Sequence, residues 1–288
     1  MRIAFDIGGM STKIAVVDNG KIIKKDEILY PNYTNGLDLL KQIKEKLNLY
    51  VKDYKFTDIC ISACGIINSS TGDISGLSAV KNFELVNFKK DLKEYDLPVY
   101  VENDANCAAL YEHHFGSAKG FKDVAFVVIG TGIGGAVIIN GNLHKGKNLL
   151  GGEFGCMIED IKGEQYINTS LSASAKTISE LYNKEKNTNI STKEVFELYD
   201  NDKVAKKIID AVIFSAAKMI VNISFVIDPE LFVIGGGISK NNLYIKNINL
   251  ECKRLYEKLN IPKHFNVVAA KGFNDANLLG AYILPEIK

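Results

Sequence analysis

The chain has 288 residues, with 35 lysines and arginines against 34 aspartates and glutamates, a formal charge of +1. That balance argues against a nucleic-acid binder, which carries a basic surplus. At 47% hydrophobic and 24% charged residues the composition excludes disordered and low-complexity classes, and the length suggests about two domains of roughly 150 residues each.

No apolar run approaches the ~20 residues of a membrane span, and Asp6 falls where a secretory apolar core would have to continue, so the chain reads as cytoplasmic. Cys60, Cys64, Cys107, Cys156 and Cys252 have mostly apolar or small neighbours, with no CxxC pair and no histidine at metal spacing. They read as buried thiols, a zinc site being the alternative.

Strands are expected at 2–5, 14–17 and 21–24, the last two joined through Asn19-Gly20, a type I′ hairpin signal. An amphipathic helix at 37–50 follows, then buried strands at 58–63 and 99–102 and a helix at 105–111. The opening pattern returns at 124–129, with a glycine turn at 130–135, a strand at 136–139 and Asn140-Gly141. This architectural repeat suggests two related α/β domains that meet near residue 116. Helices are expected at 172–184, 191–199 and 202–227, the last ending at Asp228-Pro229. A strand at 231–234, another at 266–270 and a closing helix at 275–284 complete the chain.

Glycine turns after apolar strands let backbone N–H groups approach a phosphate, and three such turns occur. Gly8-Gly9 with Ser11-Thr12 adds hydroxyls, and Asp6 at the strand end can hold hydrated Mg²⁺; a plain hairpin is the alternative. The turn Gly130-Thr131-Gly132-Ile133-Gly134-Gly135 leads into a strand, which excludes a Rossmann fingerprint, and it lacks the GK[ST] of a Walker A loop. A β-hairpin phosphate clasp remains. Gly235-Gly236-Gly237 would let a purine or ribose lie on the backbone, or else serves close packing. Glu102-Asn103-Asp104 ends a buried strand, where open α/β sheets bind ligands. Asp104 could take a proton from an attacking hydroxyl, or act as a helix N-cap.

Asp6-Ile7-Gly8-Gly9 with Ser11-Thr12-Lys13, Glu102-Asn103-Asp104, Gly130 to Gly135, Gly151-Gly152-Glu153-Phe154-Gly155, Asp228-Pro229 with Gly235-Gly236-Gly237, and Asn274-Asp275-Ala276 with Leu279-Gly280-Ala281 occur in one order. In that order they resemble the ROK sugar kinases of the actin and hexokinase superfamily, in particular bacterial N-acetylmannosamine kinases and glucokinases. The resemblance runs from Met1 to about Tyr282. It implies an α/β fold of two actin-like (ribonuclease H-like) domains with a cleft between them, 1–116 on the sugar and phosphate side and 117–274 on the nucleotide side, with 275–288 packing back on the first. ROK repressors add an N-terminal winged helix, which is not expected here because Met1 lies directly against the first expected phosphate strand.

The resemblance implies Asp104 as catalytic base toward the sugar 6-hydroxyl. It implies sugar contacts from Gly65, Asn103, Asp104, Glu153, Cys156 and Glu164. Phosphate or nucleotide contacts would come from Asp6, Gly8, Gly9, Ser11, Thr12, Lys13, Gly130, Thr131, Gly132, Gly235 and Gly236, with ATP and Mg²⁺ as cofactors and Asp6 near the metal. A homodimer without nucleic-acid or membrane partners is the implied assembly.

Most ROK kinases carry a histidine after the glycine matched by Gly155, then a Cys-x-Cys-Gly-x-x-Gly-Cys loop, and these bind structural zinc. Here Cys156 takes the histidine position, the next cysteine is Cys252, and only 157–163 separate Cys156 from Glu164-Gln165-Tyr166. The zinc loop is missing, so no structural zinc is expected. Cys156 cannot replace the imidazole as a hydrogen-bonding group, and either Glu164 or Asn168 occupies the second sugar position. His113-His114 and the lysine-rich stretches 41–46 and 203–207 read as surface features. The expected activity is phosphorylation of the 6-hydroxyl of a hexose or N-acylhexosamine, N-acetylmannosamine ahead of glucose or a β-glucoside. A non-catalytic sugar-sensing protein is the alternative, and a base aimed at a hydroxyl argues against it.

Overall fold

The computed structural model describes residues 1–30, 35–76 and 78–287; Lys288, last in the expected closing segment, lies outside them. Two compact units are present, one of 1–111, 146–150 and 274–288 and one of 112–145 and 151–273.

In the first unit β1 (Arg2–Ile7), β2 (Ser11–Asp18) and β3 (Lys21–Leu29) form an antiparallel meander. Its second turn uses Asn19 at φ 47° and Gly20 at φ 74°, the left-handed pair that a type I′ turn requires. β3 is longer than the expected 21–24 because it is the sheet edge, where a mostly exposed, lysine-rich strand is tolerated. Helix α1 (Gly36–Asp53) starts where Asn35 Oδ1 accepts from Leu37 N at 2.9 Å and buries Leu39, Ile43, Leu47 and Tyr50 at helical spacing. β4 (Asp58–Ala63), a short hairpin of β5 (Ile66–Ile67) and β6 (Ile74–Ser75), helix α2 (Phe88–Asp91) and β7 (Val99–Asn103) follow. The sheet order is β3-β2-β1-β4-β7, with β1, β4 and β7 parallel.

Helix α3 (Asp104–His114) leaves β7. The second unit then repeats the meander as β8 (Val124–Ile129), β9 (Ile133–Ile139) and β10 (Asn142–Leu143), with Asn140 and Gly141 at φ 52° and 76°. Next come the hairpin β11 (Ile158–Lys162) and β12 (Gln165–Asn168) and helices α4 (Thr169–Ala173), α5 (Ala175–Lys186), α6 (Thr192–Glu197) and α7 (Lys203–Ile227). β13 (Leu231–Gly235), α8 (Asn242–Lys258) and β14 (Asn266–Ala269) complete a sheet of order β10-β9-β8-β13-β14. The closing helix α9 (Ala276–Ile283) belongs to the first unit, where Leu278 and Ala281 pack with Ala4, Ala15 and Cys60.

Several expectations need amendment. The helix expected at 172–184 is broken at Ser174, whose side chain caps α5 by accepting from Thr177 N at 3.3 Å. The hairpin β11–β12 was not expected. Neither was α8, although it buries Tyr244, Ile248, Cys252 and Tyr256 at every fourth position. Helix α7 is long and apolar enough by length and composition to cross a membrane, with 56% of its apolar window buried in this structure, so the statement that no stretch approaches a span does not hold. Ile209, Val212, Ile213, Ala216 and Ile220 of α7 lie in the core of the second unit.

Candidate active site

In the first unit Asp6 stands at the end of β1, 8% exposed, and its Oδ1 accepts from Ser62 Oγ at 3.1 Å and Asn277 Nδ2 at 3.0 Å. Its Oδ2 faces Lys13 Nζ at 4.0 Å. Burial pushes this carboxyl above the usual carboxylate range, against the opposing pull of Asn277, Lys13 and Ser62. A lone carboxylate with one oxygen clear of close hydrogen bonds has the donor chemistry for a hydrated Mg²⁺, which takes one or two carboxylates beside phosphate oxygens. Sequence reasoning missed Ser62 as a support; Asn277, next to the motif Asn274-Asp275-Ala276, was within its reach.

The β1–β2 turn closes through Gly8 N donating to Ser11 O at 3.0 Å. Gly9 is exposed at the turn, while a Cβ there would stand 2.7 Å from Ala79 Cβ. Thr12 departs from expectation. Its side chain is fully buried and its hydroxyl is bonded to Tyr30 Oη, so it supports the turn from behind rather than offering a group to phosphate. Ser11 Oγ is turned to Glu27 Oε1 at 2.6 Å.

At the end of β7 the helix N-cap task falls to the neighbour of Asp104. Asn103 Oδ1 accepts from Asn106 N at 3.1 Å, so Asn103 performs the N-cap task and Asp104 is the first residue of α3. Its half-buried carboxylate lies at the positive end of the helix, with Oδ1 accepting from Ala105 N at 2.8 Å. Asn103 Nδ2 donates to Gly65 O at 2.9 Å, which leaves one amide N–H for a ligand. Gly65 sits at φ 102°, a conformation that favours glycine. Beneath them Glu102, 3% exposed, is satisfied by Asn103 N at 2.9 Å, Asn106 Nδ2 at 3.0 Å and Ser69 Oγ at 2.6 Å. The structure thus gathers Gly65, Asn103 and Asp104, with Glu102 as their buried support.

In the second unit the turn 130–132 closes through Gly130 N donating to Gly132 O at 2.9 Å. A Cβ on Gly130 would meet nothing within 4 Å, and Gly130 is absent from the positive-φ residues. The fold itself therefore does not require glycine there. Gly130 lines a cavity of about 790 Å³ together with Ala175, Thr192, Phe196, Gly237 and Asn241, large enough for a nucleoside.

The glycines after β13 divide differently from expectation. A Cβ on Gly235 would meet the Phe126 ring at 2.8 Å, and Gly236 is at φ 82° with Ile129 O only 2.3 Å from a built Cβ. Both are fixed by packing, and it is Gly237, with open space around it, that lines the cavity.

Glu153 and Cys156 are exposed on a short 3₁₀ turn. The other cysteines follow expectation better: Cys60, Cys107 and Cys252 are buried and Cys64 is half-buried. Glu164 lies at the exposed tip of the β11–β12 hairpin, away from Cys156. Asn168, opposite Ile158 at the hairpin base, is the residue brought alongside the chain after Cys156, and its Oδ1 caps α4 by accepting from Leu171 N at 3.0 Å. Among the described residues no group of three or more His, Cys, Asp or Glu is placed to hold a metal ion.

The chain matches the ROK family model over residues 2–287. A β-glucoside kinase of Listeria monocytogenes is 33% identical, covering 96% of this chain and 95% of its own. An N-acetylmannosamine kinase of Vibrio cholerae is 29% identical, covering 97% of each. The crystal structure of a ROK family protein from Streptococcus pneumoniae in complex with sucrose matches with a TM-score of 0.90 at 32% identity, over 99% of this chain and 98% of that one.

Proposed function

The chain belongs to the ROK family and is a sugar kinase with the family's actin-like fold, and from that premise we propose that it transfers the γ-phosphoryl group of ATP to the 6-hydroxyl of a hexose substituted on its C1 and C2 side, a β-glucoside ahead of N-acetylmannosamine. The observation that carries this is the exposed Cys156, a thiol on the turn it shares with Glu153, with Glu164 standing at the hairpin tip rather than beside it. A thiol and a carboxamide already used as a helix cap hold a bare hydroxyl poorly, so this side favours a larger substituent. The 33% identical β-glucoside kinase supports the β-glucoside, the sucrose-bound neighbour supports only a sugar substituted at C1, sucrose being an α-glucoside, and the 29% identical N-acetylmannosamine kinase supports the second reading. This reverses the order drawn from the sequence.

In this reading Asp104 accepts the proton of the 6-hydroxyl as its oxygen attacks phosphorus, and Asn103 spends its remaining N–H on a ring hydroxyl. The glycine turns offer backbone N–H groups to phosphate oxygens, and the cavity beside Gly130 and Gly237 takes the nucleoside. Asp6 would hold hydrated Mg²⁺, which when bound neutralises phosphate charge. Phosphoryl transfer depends mainly on positioning and charge stabilisation, so this set suffices. The proposal places a homodimeric enzyme in the cytoplasm.

A coupled ADP-release assay with cellobiose, methyl β-glucoside, N-acetylmannosamine, glucose and mannose tests it. A kcat/KM for a β-glucoside about tenfold or more above the others is expected. N-acetylmannosamine on top selects the second reading, and glucose on top removes the argument from Cys156.

A further inference from the structure

The hairpin β11–β12 has little apolar anchorage. Ile158, Ile161 and Tyr166 are 61%, 56% and 64% exposed, so it forgoes most of the apolar burial that usually fixes a strand pair. One charged side chain reaches inward instead. The carboxylate of Glu159, 8% exposed, accepts from Lys218 Nζ at 2.6 Å, from Ser215 Oγ at 2.9 Å and from the hydroxyl of Ser172. Ser215 and Lys218 share one face of α7, and Ser172 lies on α4.

Helix α4 in turn holds both segments that the kinase reading uses in this unit. The Thr169 hydroxyl donates to Phe154 O, and Thr169 N donates to Met157 O at 2.9 Å. Ser170 Oγ accepts from Ile133 N at 3.0 Å. Gly155 is wedged between the same groups, since a Cβ there would stand 2.0 Å from Ile133 O and 2.4 Å from Ser170 Oγ.

We propose that Glu159 is a positioning residue for phosphoryl transfer: by locking β11 to α4 and α7 it fixes the segment 153–156 against the turn 130–133. The proposal rests on the kinase reading of those segments. The carboxylate touches no substrate and acts only through Ser172, Ser215 and Lys218.

The test compares Glu159→Ala, Glu159→Gln, Glu159→Asp and Lys218→Met with the wild-type chain. Glu159→Ala is expected to raise the KM for sugar about tenfold with the KM for ATP within about twofold, and to speed hydrogen exchange across 153–168 about tenfold. Glu159→Gln and Lys218→Met each remove only the ion pair and give a smaller rise of about threefold, and Glu159→Asp restores most of the loss. Glu159→Ala with Lys218→Met is no worse than Glu159→Ala alone, because both remove the same contact. A sugar KM within twofold of wild type in both Glu159→Ala and Glu159→Gln overturns the proposal. So does unchanged exchange at 153–168. If the wild-type chain phosphorylates no sugar, the substrate reading fails, and the exchange measurement still decides the role of Glu159.

Discussion

In the first unit the strand before the glycine turn ends in Asp6-Ile7, and in the second it ends in Val128-Ile129, although both sheets have an antiparallel meander followed by two parallel strands in the same spatial order. The outermost parallel strand differs in the same way, ending in Asn103-Asp104 in one unit and in Ala269-Ala270 in the other. The repeated frame therefore carries its acidic chemistry at strand ends of the first unit only. The second presents backbone N–H groups and a cavity. The two sheets share one strand order, and in such frames the residues at the strand ends decide the chemistry.

Three changes would break this division, from the largest effect to the smallest. Asp104→Asn in the first unit should cut kcat by about 10³-fold, within the range for a lost general base, with the KM for ATP and sugar changing only a fewfold. Comparable losses of binding and rate would contradict the role of base. Asp6→Asn should cut kcat less, by about 10²-fold, while raising Tm by about 2–4 °C. The gain in stability follows from burial. Because the folded-state value of Asp6 lies above the unfolded one, its stabilising contribution is complete below the unfolded carboxylate range and is lost as pH rises through the folded value. At neutral pH the ionised group is a net cost, so thermal melts of the two proteins should converge as the pH falls through that window. Gly130→Ala in the second unit should leave Tm unchanged, since the added methyl meets no protein atom within 4 Å, and raise the KM for ATP about tenfold. An unaltered KM for ATP would show that no phosphate approaches that turn.

The two units were legible in the sequence to different depths. Asp6, the turns at Gly8-Gly9 and 130–135, and Asn103-Asp104 are local patterns of strand, turn and cap, and their elements fall where the pattern places them. Division of labour among neighbouring residues was not visible. Asn103 rather than Asp104 caps α3, Thr12 faces Tyr30, and Gly237 rather than Gly235 or Gly236 lines the cavity; the last two depend on atoms distant in the chain. The β11–β12 hairpin escaped because its strands are short and largely exposed and so lack an alternation that marks a buried face. Without that hairpin the sequence leaves Glu164 and Asn168 open as alternatives for the second sugar position; antiparallel pairing carries Glu164 to the tip and returns Asn168 to the base. Helix α8 carries a legible helical stripe in Tyr244, Ile248, Cys252 and Tyr256.

The most direct test of the central claim is phosphorus NMR of the product formed from cellobiose and ATP. A phosphorus signal split by the two protons on C6 of the non-reducing glucose is the predicted result. Phosphate on any other hydroxyl, or ATP hydrolysed with the sugar unmodified, would contradict the account of Asp104 as the base for 6-hydroxyl transfer.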